Sequence, residues 1–127
     1  MTDAAAMHLD TSFLIRALLP GTSESRRLEK WLGGRRALVI SAMAWTEFLA
    51  GPLDDEALRV AGRLVGTAAA VTGLHAERAA HLFNVTGRRR GTLSDCLIAA
   101  VAIEDGAALA TADGVFERFA DAGLLLA

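Results

Sequence analysis

At 127 residues, 53% of them hydrophobic and 22% charged, the chain has the length and composition of one globular domain with its own core. Its net charge of -2 excludes recognition of nucleic acid through bulk basicity, although twelve of the thirteen cations are arginine, with runs at Arg26–Arg27, Arg35–Arg36 and Arg88–Arg90. That bias fits phosphate-contacting patches and equally fits a GC-rich coding sequence. The single cysteine, Cys96, rules out an internal disulfide and lies in an apolar run, which points to a reducing compartment. No apolar run has the length of a membrane span, and residues 1–6 lack the basic start of a signal peptide, so a cytoplasmic protein is expected.

Residues 1–6 read as a loose tail, with Met7 an alternative start, and residues 7–127 as a single domain. Met7-His8-Leu9 is a short strand, followed by a helix from about Ser12 to Leu19 that Pro20-Gly21 stops. Ser23 opens a second helix, ending near Leu32 before Gly33-Gly34. Ala37–Ile40 is a buried strand, and Ser41 is placed to cap a third helix that carries Trp45, Glu47, Phe48 and Leu49. Gly51-Pro52 ends it, and Asp54 or Asp55 starts another helix through about Val65. Ala69-Ala70-Val71 is a weak strand, because alanine fits a pleated surface poorly. Helices follow over Ala76–Arg89 and Ser94–Glu104, then strands at Ala107–Ala110 and Leu124–Leu126 around a short helix from Gly114 to Phe119. Uniformly apolar strands separated by helices predict an α/β fold: a three-layer α/β/α sandwich around a parallel sheet.

Four acids stand inside or against apolar segments: Asp10, Glu47, Asp95 and Asp113. Ionised carboxylates are rarely buried without a partner charge or a metal, and open parallel sheets bind ligands beyond the carboxyl ends of their strands. Asp10 follows the first strand and Asp113 the fourth, Asp95 opens a helix, and Glu47 lies about one turn into the helix after the second strand. All four can therefore reach one rim. Oxygen-only ligation suits Mg²⁺ or Mn²⁺, and with it phosphate chemistry. The competing explanation is helix capping, since Asp10, Asp95 and Asp113 precede or open helices and Thr92-Leu93-Ser94-Asp95 matches a capping box. A cap does not account for Glu47, which could instead face solvent.

These segments resemble a known family. Leu9-Asp10-Thr11-Ser12, Trp45-Thr46-Glu47-Phe48-Leu49, Leu93-Ser94-Asp95-Cys96-Leu97-Ile98-Ala99-Ala100 and Leu109-Ala110-Thr111-Ala112-Asp113 with Phe116 look like the signature segments of PIN-domain ribonucleases. More closely, the chain resembles the VapC toxins of type II toxin–antitoxin systems, in order and spacing, over about residues 7–127. Each motif alone is weak; four in sequence at this length are specific. The resemblance implies a central parallel five-stranded sheet, an acidic pocket holding Mg²⁺ or Mn²⁺, hydrolysis of single-stranded or looped RNA, a homodimer, and inhibition by a VapB-like antitoxin. It makes Asp10, Glu47, Asp95 and Asp113 the metal-organising acids, with Thr11 and Thr111 as supporting hydroxyls. Many relatives carry a further acid just before the last motif's phenylalanine; Val115 stands there, and Glu117 is in a different register, so Glu117 is not assigned as a ligand.

Arg88, Arg89 and Arg90 either hold RNA phosphates or complement a helix C-terminus. His8 reads as a packed core residue, His75 and His81 lack zinc spacing with Cys96, and Trp31 and Trp45 read as core or interface. Three other readings are a PIN-fold RNA-processing nuclease without antitoxin, a silent binding module that keeps the acids as caps, and a phosphoacceptor receiver domain. The last lacks its late lysine, since Lys30 stands alone and early.

Overall fold

The sheet takes its order from the first strand outward. A computed structural model describes residues 6–52 and 54–127. The expected tail falls outside these apart from Ala6, and so does Leu53. β1 (Met7–Leu9) is central, flanked by β2 (Leu38–Val39) and β3 (Ala108–Ala110), with β4 (Leu125–Leu126) beyond β3. All pairs are parallel, and Leu9 stands opposite Ala110, so the chain leaves β1 and β3 side by side at the same edge. Helices flank this sheet in the expected three-layer arrangement: α1 (Thr11–Ala17), α2 (Ser23–Gly33), α3 (Ala42–Ala50), α4 (Asp55–Val65), α5 (Gly73–Val85) and α6 (Leu93–Glu104). The last helical segment, Gly114–Ala122, is a 3-10 helix.

Local chemistry starts several helices where the sequence places them. Ser41 Oγ accepts from Ala44 N at 3.1 Å to cap α3, and Asp54 Oδ1 accepts from Ala57 N at 2.7 Å to cap α4. α6 is apolar on nearly every side: Cys96 and the run from Ile98 to Ala102 are all buried. A helix of that kind must be covered all round, and its alanines let neighbours come close on several faces. It packs against α5, α3, β3 and the 3-10 helix. Phe13, Phe48, Phe116 and Phe119, all fully buried, fill the core around it.

Three expectations change. The sheet has four strands where five were expected: Ala69 makes only an isolated parallel bridge with Ser41, through Ala69 N to Ile40 O at 2.8 Å and Ala42 N to Ala69 O at 2.7 Å. The segment docks as a fifth strand would, but its alanines extend no ladder. α5 starts at Gly73, where Thr72 and His75 form a capping box, and ends at Val85. Gly87 and Arg88 then take left-handed conformations (φ 92 and 53), which turn the chain out of the helix. Arg88, Arg89 and Arg90 therefore lie past α5, not in its last turn. The final helix runs on to Ala122 as a 3-10 turn series, past the expected Phe119.

Among the described residues, no helix is long and apolar enough to cross a membrane. His8 is buried, as expected, and its Nε2 lies 2.7 Å from Asp105 Oδ2. Burial pushes the Cys96 thiol up, which keeps it protonated and unreactive.

Candidate metal and nuclease site

All four sequence-selected acids reach one place. Asp10, Glu47, Asp95 and Asp113 line an open cleft of about 260 Å³ with Thr11, Ser12 and Ile15. Four separate segments supply them: the end of β1, the second turn of α3, the first turn of α6 and the turn after β3. Parallel pairing of β1 with β3 is what brings Asp10 and Asp113 to the same rim.

Asp10 is 4% exposed and does not cap α1 through its side chain. Its Oδ2 instead accepts from Ser12 Oγ at 2.6 Å and from Thr111 Oγ1 at 2.8 Å. Both hydroxyl protons are then committed to the carboxylate, so the 3.1 Å approach of Ser12 Oγ to Thr111 Oγ1 is a consequence of sharing it. Those same oxygens accept from the backbone of the last motif, Ala112 N to Ser12 Oγ and Asp113 N to Thr111 Oγ1, each 3.0 Å. A hydrogen-bonded seam thus joins residues about a hundred positions apart and fixes the orientation of a buried carboxyl group.

Glu47 is half-buried, and Thr11 Oγ1 stands 3.3 Å from its Oε1 and 2.8 Å from Ala44 O. With one proton, Thr11 bonds mainly to the carbonyl and braces Glu47 only weakly. The two threonines therefore divide otherwise than their sequence neighbours imply: Thr111 orients Asp10 rather than the adjacent Asp113, and Thr11 serves Glu47. Ser12 is a further member that the sequence reading did not single out. Its signal was present in the Asp-x-Ser spacing, where a hydroxyl two residues on can turn back to the carboxylate.

Capping accounts for one acid of the three in question. Asp113 is exposed, and its Oδ1 accepts from Val115 N at 3.0 Å at the start of the 3-10 helix. Thr92 does not form the expected capping box with Asp95; its hydroxyl turns back to Arg89 O at 2.7 Å. Among the described residues Asp95 has no side-chain hydrogen bond. Burial holds its carboxyl up at about 6, with Asp10, Glu47 and Asp113 each pushing the same way and Arg118 opposing them. Asp95 thus registers the charge of all three partners. Arg118 is a second residue the sequence reading missed, and no motif marks it.

Val115, at the position where the family resemblance implies a further acid, packs partly buried against the core. Glu117 lines a neighbouring hollow with Thr111, Gly114 and Leu126, and that hollow shares Asp113 with the acid cleft. Arg88, Arg89 and Arg90 are exposed and do not line the cleft. Arg88 is engaged locally, hydrogen-bonded to Asn84 and lying 5.3 Å over the Phe83 ring. Among the described residues, no three acids are drawn into a ready-made ligand cage. The donor set is nonetheless one of carboxylate and hydroxyl oxygens, which fits a hard divalent cation that retains several waters.

A PIN domain family model matches residues 7–122. None of the curated proteins matches the chain in sequence. Several solved structures share its fold at low identity. VapBC2 from Rickettsia felis, bound to a DNA fragment from its promoter, is 19% identical with a TM-score of 0.75, covering 96% of this chain and 97% of that one. FitAcB from Neisseria gonorrhoeae is 21% identical with a TM-score of 0.68, over 94% and 95%. The Sarcin-Ricin loop cleaving toxin VapC20 from Mycobacterium tuberculosis is 18% identical with a TM-score of 0.68, over 96% and 98%. With its fold, its four motif acids in one cleft and a family model matched along nearly its whole length, the chain belongs to the PIN domain family.

Proposed function

We propose that the protein is a metal-dependent endoribonuclease that hydrolyses RNA phosphodiester bonds, acting as the toxin of a VapBC-type pair and silenced by its cognate antitoxin. One observation carries this reading: four carboxylates from four segments line one cleft, and Asp95 is held near 6 by burial and by the other three. Negative charges assembled at such cost call for a counter-cation, and an oxygen-only set favours Mg²⁺ or Mn²⁺. When bound, such a cation polarises a phosphodiester and generates hydroxide from water near neutral pH.

The chain's own residues have distinct tasks. Asp10, fixed by Ser12 and Thr111, and Asp95, whose side chain has no hydrogen bond among the described residues, would hold the cation most directly. Glu47, braced by Thr11, and Asp113 at the exposed lip would complete its shell, in part through its waters. Arg89 and Arg90 are placed to meet RNA phosphates beyond the cleft, a contact that gives affinity without sequence information.

The antitoxin has a candidate seat. Ile15 and Leu19 near α1, Leu49 in α3 and Leu58 and Val60 in α4 are large apolar side chains left exposed. Exposed apolar side chains gathered on these three helices support a protein contact there. VapBC2 and VapC20 support the reading by what they are, one a VapBC protein caught on its promoter DNA and the other a toxin that cleaves the Sarcin-Ricin loop. A cytoplasmic homodimer completes the proposal.

Inducible expression of the wild type and Asp10→Asn, with growth followed and RNA 5′ ends sequenced, tests it. Growth arrest and discrete new ends with the wild type alone are expected. A soluble, folded wild type that produces neither would sink the toxin assignment, and failure to bind Mn²⁺ as well would leave only a silent module.

A further inference from the structure

The acid cleft is lined by four acids, two hydroxyl residues and Ile15, with no cation among them. A polyanionic strand entering it must find its positive contacts next door. Arg118 lies in the 3-10 helix, which begins at the cleft's Asp113 and packs against α6, the helix that carries Asp95. Its Nη1 is buried and has no hydrogen-bond partner, alone in this among side-chain nitrogens and oxygens of the described residues. A desolvated guanidinium N–H without an acceptor is costly, and such exceptions call for an explanation. Arg118 also lines a hollow of about 350 Å³ between the end of α5 and the 3-10 helix, with His81, Val85, Thr86, Asp121 and Ala122. Val85 and Thr86 lead directly into Gly87 and the exposed Arg89 and Arg90. Acid cleft, Arg118, hollow and arginine loop therefore succeed one another.

We propose that Arg118 and the hollow it lines with Val85, Thr86 and Ala122 form the subsite for the nucleotide beside the cleaved bond. Arg118 turns its guanidinium out of the packing that covers Nη1 to hold a backbone phosphate oxygen there, and the apolar side chains receive the sugar and base. The strand then runs on toward Arg89 and Arg90. Asp121, exposed and free of ion pairs among the described residues, faces the same hollow and opposes the phosphate. This subsite rests on the reading of the cleft as a ribonuclease site.

The test uses the full chain carrying Asp10→Asn, so that RNA is bound and not cut, with a fluorescein-labelled twelve-nucleotide oligouridine as the probe. Adding Arg118→Gln is expected to weaken binding about ten-fold at low salt and to flatten the slope of log K against log salt by about 0.7, one single-strand phosphate contact. Mn²⁺ binding, measured with Asp10 restored, is not weakened. Adding Asp121→Asn, a surface change that leaves Arg118 in place, should tighten RNA binding about two-fold. A purely structural Arg118 would lower the melting temperature and leave the salt slope unchanged. Unaltered slope and affinity in a folded Arg118→Gln protein overturn the subsite while the nuclease reading stands. Should Arg118→Gln fail to fold, unchanged or weaker binding by Asp121→Asn overturns it instead. If the Asp10→Asn parent binds no RNA and the wild type cuts none, the subsite and the nuclease reading fall together.

Discussion

The β1–β3 rim and the loop between α5 and α6 carry the two halves of the proposed chemistry, and they are built on opposite plans. At the rim, a buried carboxylate is held by hydroxyls from two chain-distant motifs, which are in turn held by backbone amides. In the loop, contacts are local: Arg88 leans on Phe83 and Asn84, while Arg89 and Arg90 extend into solvent. The acids are preorganised and the cations are not. A site that must place a metal and a reacting phosphorus needs the first kind of support, whereas tethering a flexible polyanion needs only charge nearby.

If that contrast is real, damage to the rim is far costlier than damage to the loop. Asp10→Asn, or Asp95→Asn, is expected to lower RNA cleavage about a thousand-fold or more without unfolding the protein, the scale on which loss of one charge-stabilising group acts. Cleavage retained in both variants would contradict the assignment of the acids. Ser12→Ala and Thr111→Val leave every acid in place but free the Asp10 carboxylate to rotate. Each should cost about 10–100-fold in Mn²⁺ affinity or activity, the range for groups that orient metal ligands. Thr11→Val should cost less than either, because its 2.8 Å bond goes to Ala44 O and only a 3.3 Å contact reaches Glu47. A larger loss with Thr11→Val than with Thr111→Val would reverse the order of support within the rim.

In the loop, Arg89→Gln or Arg90→Gln should weaken RNA binding by a few-fold, about 1 kcal/mol or less for an exposed charge, and leave Mn²⁺ affinity unchanged. Filter binding at several salt concentrations measures this. A loss there as large as at Ser12 would show the loop to be part of the rigid site.

The smallest effect concerns the metal-free fold. Asp95 is held at about 6 against an ordinary 3.8, so the folded state keeps a proton that the unfolded chain releases. The stability contributed by the protonated group is complete below about pH 4 and is lost as pH rises toward about 6. Without divalent cation, the wild type should lose a few degrees of melting temperature across that window, with solvent screening trimming the effect. Asp95→Asn should flatten the profile and melt higher than the wild type at pH 7. A parallel profile in the two proteins would mean that the acids do not strain one another.

Sequence and structure part company most at residues whose role depends on a distant partner. The order of elements was legible from apolar runs and their punctuation: Pro20-Gly21 and Gly51-Pro52 stop helices, and Ser41 and Asp54 cap them. Alanine at 69 and 70 made that strand weak in the sequence, and the structure reduces it to one bridge. The end of α5 was misjudged although Gly87, left-handed and just past the Thr86 cap, is the residue type that stops helices; Arg88, also left-handed, completes the turn. Thr111 stands two residues from Asp113 in the sequence, yet its hydroxyl donates to Asp10, 101 positions away. Arg118 looked like an ordinary basic residue on a short helix.

By itself the sequence determined the class of fold, the family and the four acids, because apolar periodicity and motif spacing are local properties read along the chain. Only the tertiary structure decided which hydroxyl serves which carboxylate, which aspartate merely caps, and that Arg118 buries an Nη1 without a partner among the described residues. Those depend on the register that sets Leu9 opposite Ala110 and on what packs around α6, and neither is written in any one stretch of residues.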